Sequence, residues 1–323
     1  MSTTGAGAWK GSAEKGEDHL ELTAEQNRVV TARWEMAKEA RGRLDGLMRD
    51  LEGRSIQHGG KLEGLDYSLK GLDSFRRKAA VAVERPGVDA ESVCEDVDDL
   101  NRYTLTFETD NYVQGTKQTY AELRARGFEP VAEQNTWEDP VYKGVNTAWE
   151  RPESKEKFEL QFHTPESFKA KSDNHELYEL TRSGEFKEIA GDDDKLAREY
   201  KEAADLLQNE RYENVRTPPG VEELDDRLVR AELNPKVGPQ IVQEVRHMET
   251  NLKATHAAAA AAAANAQQPR NSLGSNLGES LHADGPGLRD RLATKTEPAR
   301  LPAAQATAVD LLPTQSRGRG PRL

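Results

Sequence analysis

Residues 157–163 read KFELQFH, with Phe158, Leu160 and Phe162 alternating with Glu159, Gln161 and His163. In an extended chain successive side chains point to opposite faces, so this segment separates an apolar side from a polar one. The pattern predicts a half-buried strand whose aromatic and leucine side chains enter a core. Directly after it, Thr164-Pro165-Glu166 opens a helix: a capping hydroxyl, a proline suited to the first turn and an acid near the positive end of the dipole.

Working outward, residues 97–107, VDDLNRYTLTF, predict another strand, because Tyr103, Leu105 and Phe107 alternate with Thr104 and Thr106. Residues 115–127, GTKQTYAELRARG, carry Tyr120 and Leu123 at helical spacing and stop at Gly127; residues 128–137 are extended again. Near the start, Thr23 with Gln26 forms a capping-box pattern. Val30, Trp34, Ala37, Leu44, Leu47, Met48 and Leu51 then mark a long amphipathic helix ending near Gly59-Gly60. Further helices are expected over 192–209 and, with interruptions, over 221–256. These elements define an α+β fold, a small mixed sheet flanked by helices.

Composition bounds the organisation. The 323 residues are 35% hydrophobic and 32% charged, on the polar side of the globular range, so part of the chain is expected to lie outside a core. Residues 1–20, rich in Gly, Ser, Thr and charge, read as a mobile leader. A main domain follows over 21–216 and a helical extension over 217–264. Residues 265–323, dominated by Pro, Gly, Ser, Ala and Arg, read as a disordered low-complexity tail. The alanine run Ala257–Ala264 favours helix while offering little to pack.

Charge and cysteine usage exclude several classes. A net charge of −12 opposes nonspecific nucleic-acid binding over the whole surface, though it leaves room for a local basic pocket. The one cysteine, Cys94, excludes an internal disulfide framework or a multi-cysteine zinc site and reads as a buried thiol. No secretion signal or membrane-length apolar run is visible, so the default expectation is the cytoplasm, with signal-less export equally compatible.

Four segments carry the candidate chemistry: LKGLDSFRRK (69–78), DDLNRYT (98–104), YKGVNT (142–147) and FELQFHTPES (158–167). Together, in this order and spacing, they resemble the synthetase domain of RelA/SpoT-like nucleotidyltransferases, the alarmone synthetases, and more closely the actinobacterial ATP nucleotide 3′-pyrophosphokinases and toxin-like domains. The resemblance covers roughly residues 62–182. It implies a nucleotidyltransferase-like sheet and magnesium-dependent transfer of pyrophosphate from ATP to the 3′-hydroxyl of a purine nucleotide, GDP or GTP, or ADP or ATP. Such chemistry needs a metal to bridge phosphate oxygens and fixed cations beside them.

The resemblance assigns the magnesium carboxylates to Asp99 and Glu159, with Glu159 also the base for the acceptor hydroxyl. Without it, Asp99 reads as a helix-cap or turn carboxylate beside Asp96 and Asp98, and Glu159 as a solvated strand face. Lys70, Ser74 and Lys78 are spaced four apart, a spacing that puts them on one helical face toward the donor phosphates, with Arg77 beside it. Otherwise they form an ordinary basic helix surface.

Tyr142 corresponds to the ring that stacks on the acceptor base, or else packs at a strand edge; Lys143 and Asn146 accompany it, Asn146 standing where alarmone synthetases often carry histidine. Gln161, His163 and His175 complete the nucleotide-binding set, with His175 equally suited to a structural hydrogen bond. Tyr178, Glu179 and Arg182 share the His175 face.

Three departures stand out: Ser68, Thr104 and His163 occupy positions where the family usually has arginine. These bear on guanosine alarmone synthesis more than on the fold. No His-Asp dipeptide of the family's hydrolase half occurs. The alternatives are therefore pyrophosphorylation of a tRNA 3′ end, as in toxin relatives, or an inactive nucleotide-binding interaction module. A homo-oligomeric or antitoxin partner is compatible with each.

Overall fold

The computed structural model describes residues 7–12 and 17–267. The disorder expected for residues 265–323 lies outside the described residues from 268 on, as does the mobility expected of residues 1–6 and 13–16. Within the expected leader, strand β1 (Trp9–Lys10) pairs antiparallel with β2 (Glu21–Leu22).

Helix α1 (Ala24–Ser55) begins where the sequence places it, with Thr23 and Gln26 closing a reciprocal capping box. A short 3-10 turn follows, and Gly59 takes a left-handed conformation, φ 71°, where the chain reverses into β3 (Lys61–Glu63). Next come α2 (Leu72–Val83), α3 (Ala90–Asp96), β4 (Arg102–Thr106), α4 (Tyr112–Ala125), β5 (Glu129–Asn135), β6 (Val145–Arg151) and β7 (Glu156–His163). Four helices then follow: α5 (Pro165–Asp173), α6 (His175–Ser183), α7 (Glu185–Ala190) and α8 (Asp194–Tyr212).

Five strands form one mixed sheet in the order β3-β4-β7-β6-β5. Only β4 and β7 are parallel; the other neighbours are antiparallel. The α+β class read from the sequence is the observed one. The apolar face of β7, Phe158, Leu160 and Phe162, packs with Leu44, Met48 and Leu51 of α1 and Tyr112, Tyr120 and Leu123 of α4. Burial of each such side chain contributes roughly 1.5–3 kcal/mol. A second core joins the first half of α1 (Val30, Ala37) to α2 (Phe75, Ala79) and α3 (Val93, Cys94).

Two expectations are corrected. β7 is buried on both faces, because α5 turns back over the polar one: Glu159, Gln161 and His163 are all buried. The strand expected over 97–107 starts only at Arg102. Its first residues instead bond with the approach to α2, Lys70 N–H donating to Leu100 O at 2.8 Å and Arg102 N–H to Ser68 O at 2.9 Å.

Among the described residues, those up to Glu249 form one compact unit, and residues 250–267 belong to a second. Where interrupted helices were expected from residue 221, the first unit has a 3-10 turn, Val221–Glu223, then irregular chain until α9 (Pro239–Gln267). In this unit α9 meets α8 through Tyr200 and Glu244, 2.7 Å, and Arg211 and Glu249, 2.6 Å. In the second unit α9 runs on with its side chains largely exposed through residue 262. Among the described residues no helix is long and apolar enough to cross a membrane.

Candidate active site

At one end of the polar face, Asp99 is held between two lysines. Lys70 Nζ donates to its Oδ2 at 3.1 Å and Lys78 Nζ to its Oδ1 at 2.8 Å. The expected lysine face of a single helix is not how they meet: Lys70 lies before α2, in an isolated bridge region where Leu69 pairs with Asn101, and only Lys78 is helical. Helix α1 fixes both loops, Trp34 Nε1 donating to Lys70 O at 2.7 Å and Asn101 Nδ2 to Ala37 O at 3.0 Å. Burial favours the neutral form of Asp99, but the two ammonium groups more than offset it and hold the carboxyl well below its ordinary range. Burial pushes Lys70 down to about 7 against the opposing pull of Asp99.

Glu159 occupies the centre. β4 and β7 pair Arg102 with Glu159 in register, and Glu159 N–H donates to Asn101 O at 2.8 Å. Burial raises the proton affinity of Glu159, and the charge of nearby Asp99 raises it further; Gln161, Arg102 and Lys171 work the other way. The Gln161 amide donates to Glu159 Oε1, and Lys171 donates to Gln161 Oε1, forming a short side-chain relay. Lys171, from α5, is buried and pushed down to about 8, first by burial.

At the other end lie Tyr142, Asn146 and His163. Tyr142 Oη donates to Asn146 Oδ1 at 2.9 Å and lies 3.1 Å from His163 Nε2. His163 Nδ1 lies 3.1 Å from both Lys143 O and Ser167 Oγ. Burial, and then the Lys171 charge, hold His163 well below its ordinary value, so it is a neutral hydrogen-bonding group here. Gly144 touches this ring: a Cβ there would sit 2.6 Å from His163 Cε1.

Two predicted residues are committed elsewhere. Arg77 pairs with Glu17 at 2.7 Å, and Lys143 Nζ donates to Trp137 O at 3.0 Å. Ser74 sits one helical turn before Lys78 on α2. His175 opens α6, whose Glu179 and Arg182 lie close enough for their charges to act on Arg102. Cys94 is buried, and burial pushes its thiol up to about 11.

Arg102, Lys171 and Arg230 escaped the sequence reading. Arg102 stands in the quoted DDLNRYT segment opposite the apolar alternation of Tyr103 and Leu105, a signal that could have found it. Lys171 follows the cap of α5 by two turns. Arg230 lies in irregular chain tied down by Asp139, which accepts from Arg230 N–H at 2.5 Å, and its charge acts on Tyr142 and Tyr178.

Asp99 and Glu159 feel each other's charge in a desolvated setting, a repulsion that a divalent cation relieves. Among the described residues no group of three or more His, Cys, Asp or Glu side chains converges. Two hard carboxylates are the donor type magnesium takes, and that ion seldom uses an all-protein cage.

No protein-family model matches the chain, and no curated protein matches it. Among solved structures, the complex between the Type VI effector Tas1 and its immunity protein contains a similar chain, 20% identical over 70% of this chain and 95% of that one, with a TM-score of 0.31. The smu.1046c protein from Streptococcus mutans UA159 is 16% identical over 58% of this chain and 96% of that one, with a TM-score of 0.36.

Proposed function

We propose that this protein moves a pyrophosphate from ATP to the 3′-hydroxyl of a purine nucleotide. The observation that carries the reading is a cluster of opposite charges: buried Lys70 and Lys171 and half-buried Lys78 and Arg102 lie around two carboxylates, Asp99 and Glu159. Fixed cations beside carboxylates in a desolvated setting are what transfer from a triphosphate needs. Lys70 and Lys171, pushed down to about 7 and about 8 by burial, are the groups a bound polyanion would recharge.

In this mechanism Lys70, Lys78 and Arg102 hold the donor phosphates, and Tyr142 orients the acceptor. Glu159 takes the proton of the 3′-hydroxyl. The 3′-hydroxyl oxygen forms a bond to the β-phosphorus while the bond from that phosphorus to the oxygen bridging it to the α-phosphorus breaks, and AMP departs with the electron pair. A raised proton affinity suits Glu159 to this task near neutral pH. Asp99 and Glu159 would hold the magnesium, which supplies charge neutralisation for the phosphate oxygens.

A nucleotide acceptor is favoured over a tRNA end because the two arginines of LKGLDSFRRK, a basic patch that could meet RNA, are internally committed. Arg76 bonds to Asn27 and Asp73, and Arg77 to Glu17. Incubation of purified protein with labelled ATP and GDP, GTP, ATP or tRNA tests the reading. AMP release with label on a purine nucleotide is expected. Label on tRNA alone would move the acceptor, and neither product would leave a binding module.

A further inference from the structure

Lys171 differs from the other cations of the site. Lys70 and Lys78 have Asp99. Lys171 Nζ has one hydrogen-bond partner among the described residues, the neutral Gln161 amide oxygen, and no carboxylate there lies within ion-pair distance of it. An ammonium group has three donors, so two remain for a ligand. The ammonium also lies over the Phe168 ring, 5.7 Å from its centroid, and feels the Glu159 charge from beyond ion-pair distance; held buried by neutral contacts, it is further stabilised by an anion that meets it directly.

The position of Lys171 along β7 indicates which anion. The order is Asp99 with its lysines, then Glu159 beside Arg102, then Gln161 with Lys171, then His163 with Tyr142. Asn146, which accepts from Tyr142, pairs in register with Gln161. Lys171 therefore stands on the Tyr142 side of the base, one amide beyond Glu159 and away from the lysines on Asp99.

We propose that Lys171 is an anchor for a phosphate of the acceptor nucleotide, the molecule whose hydroxyl Glu159 deprotonates, and that it makes the site select a nucleoside diphosphate over a nucleoside. This assignment rests on the pyrophosphate-transfer reading for the identity of the ligand, but its test needs no turnover. In the full chain without ATP, calorimetry measures binding of GDP, guanosine, ADP and adenosine. The unmodified protein is expected to bind a purine diphosphate about tenfold or more tighter than its nucleoside, the scale of one charge-assisted hydrogen bond. Lys171→Met removes most of that preference while nucleoside and ATP affinities change less than about twofold, and Lys171→Arg retains it.

Three results overturn the assignment: no binding of either diphosphate, the same preference in Lys171→Met, or a loss falling on ATP instead. Should Lys171→Met fail to fold, inorganic phosphate decides with the unmodified protein. Displacement of the diphosphate but not of the nucleoside supports the anchor, and any other result removes it. Absent transfer from labelled ATP, with this selectivity intact, would sink the reaction and keep the anion site. Normal transfer with unaltered selectivity in Lys171→Met would do the reverse.

Discussion

Arg102 pairs in register with Glu159 across the parallel β4–β7 ladder, setting a guanidinium beside a carboxylate on neighbouring strands. The arginine supports the ionised carboxylate, while burial and Asp99 oppose it more strongly. Glu159 is thus poised to accept a proton.

Replacing Glu159 with glutamine keeps the size of the side chain and an oxygen that can accept from Gln161. The Glu159→Gln protein is expected to fold normally and lose at least about 100-fold in transfer rate. Steady-state assays beside urea unfolding check this; turnover within a few-fold of the parent would remove Glu159 as the base.

Asp99→Asn removes a carboxylate partner of the fully buried Lys70. Loss of one partner of a buried ion pair costs roughly 3 kcal/mol or more. The urea midpoint at pH 7 should fall accordingly, and an unchanged midpoint would show that the lysines do not depend on this carboxylate for stability.

At Gly144 an added methyl group would press on a fully buried imidazole, with Cβ 2.6 Å from His163 Cε1 and 3.0 Å from Phe162 O. Gly144→Ala should therefore destabilise by about 1–3 kcal/mol. Equal melting temperatures for the two proteins would mean that the loop yields without cost.

His163 makes stability depend on pH. Burial, then the Lys171 charge, depresses its folded-state value, whereas the unfolded chain takes up this proton near pH ~6.5. Its penalty is absent above that pH and grows below it, by about 1.4 kcal/mol per unit, until the folded value is reached. Tyr142, Ser167 and Lys171 face the ring, and none of them is a carboxylate that could hold the proton. Unfolding of the parent and of His163→Gln at pH 7.5 and 5.5 should show the parent losing more stability, and parallel losses would exclude His163 as the source.

The alternation of KFELQFH, the Thr23 and Thr164 caps and the helix ending at Gly127 were legible because each depends on neighbours within a few residues. Burial of the Glu159 face was not, since it comes from α5 folding back over the strand. Lys70 and Lys78 were singled out through a helical spacing, yet they meet because the chain before α2 bridges to Asn101. Arg102 and Lys171 needed strand register and a helix return, neither written in local pattern. The helices expected from residue 221 gave way to irregular chain, where Asn135 and Asp139 hold the backbone at a distance in sequence.

The single parallel pairing in the sheet, with Leu105 beside Phe162, also sets a timetable. On a growing polypeptide Lys70, Lys78 and Asp99 leave the ribosome well before Glu159, and parallel strands cannot join until the intervening chain has been made. A nascent or prematurely ended product thus carries half of the charged cluster and lacks Glu159, so the synthesising cell meets the assembled cluster only after β7 has emerged and docked.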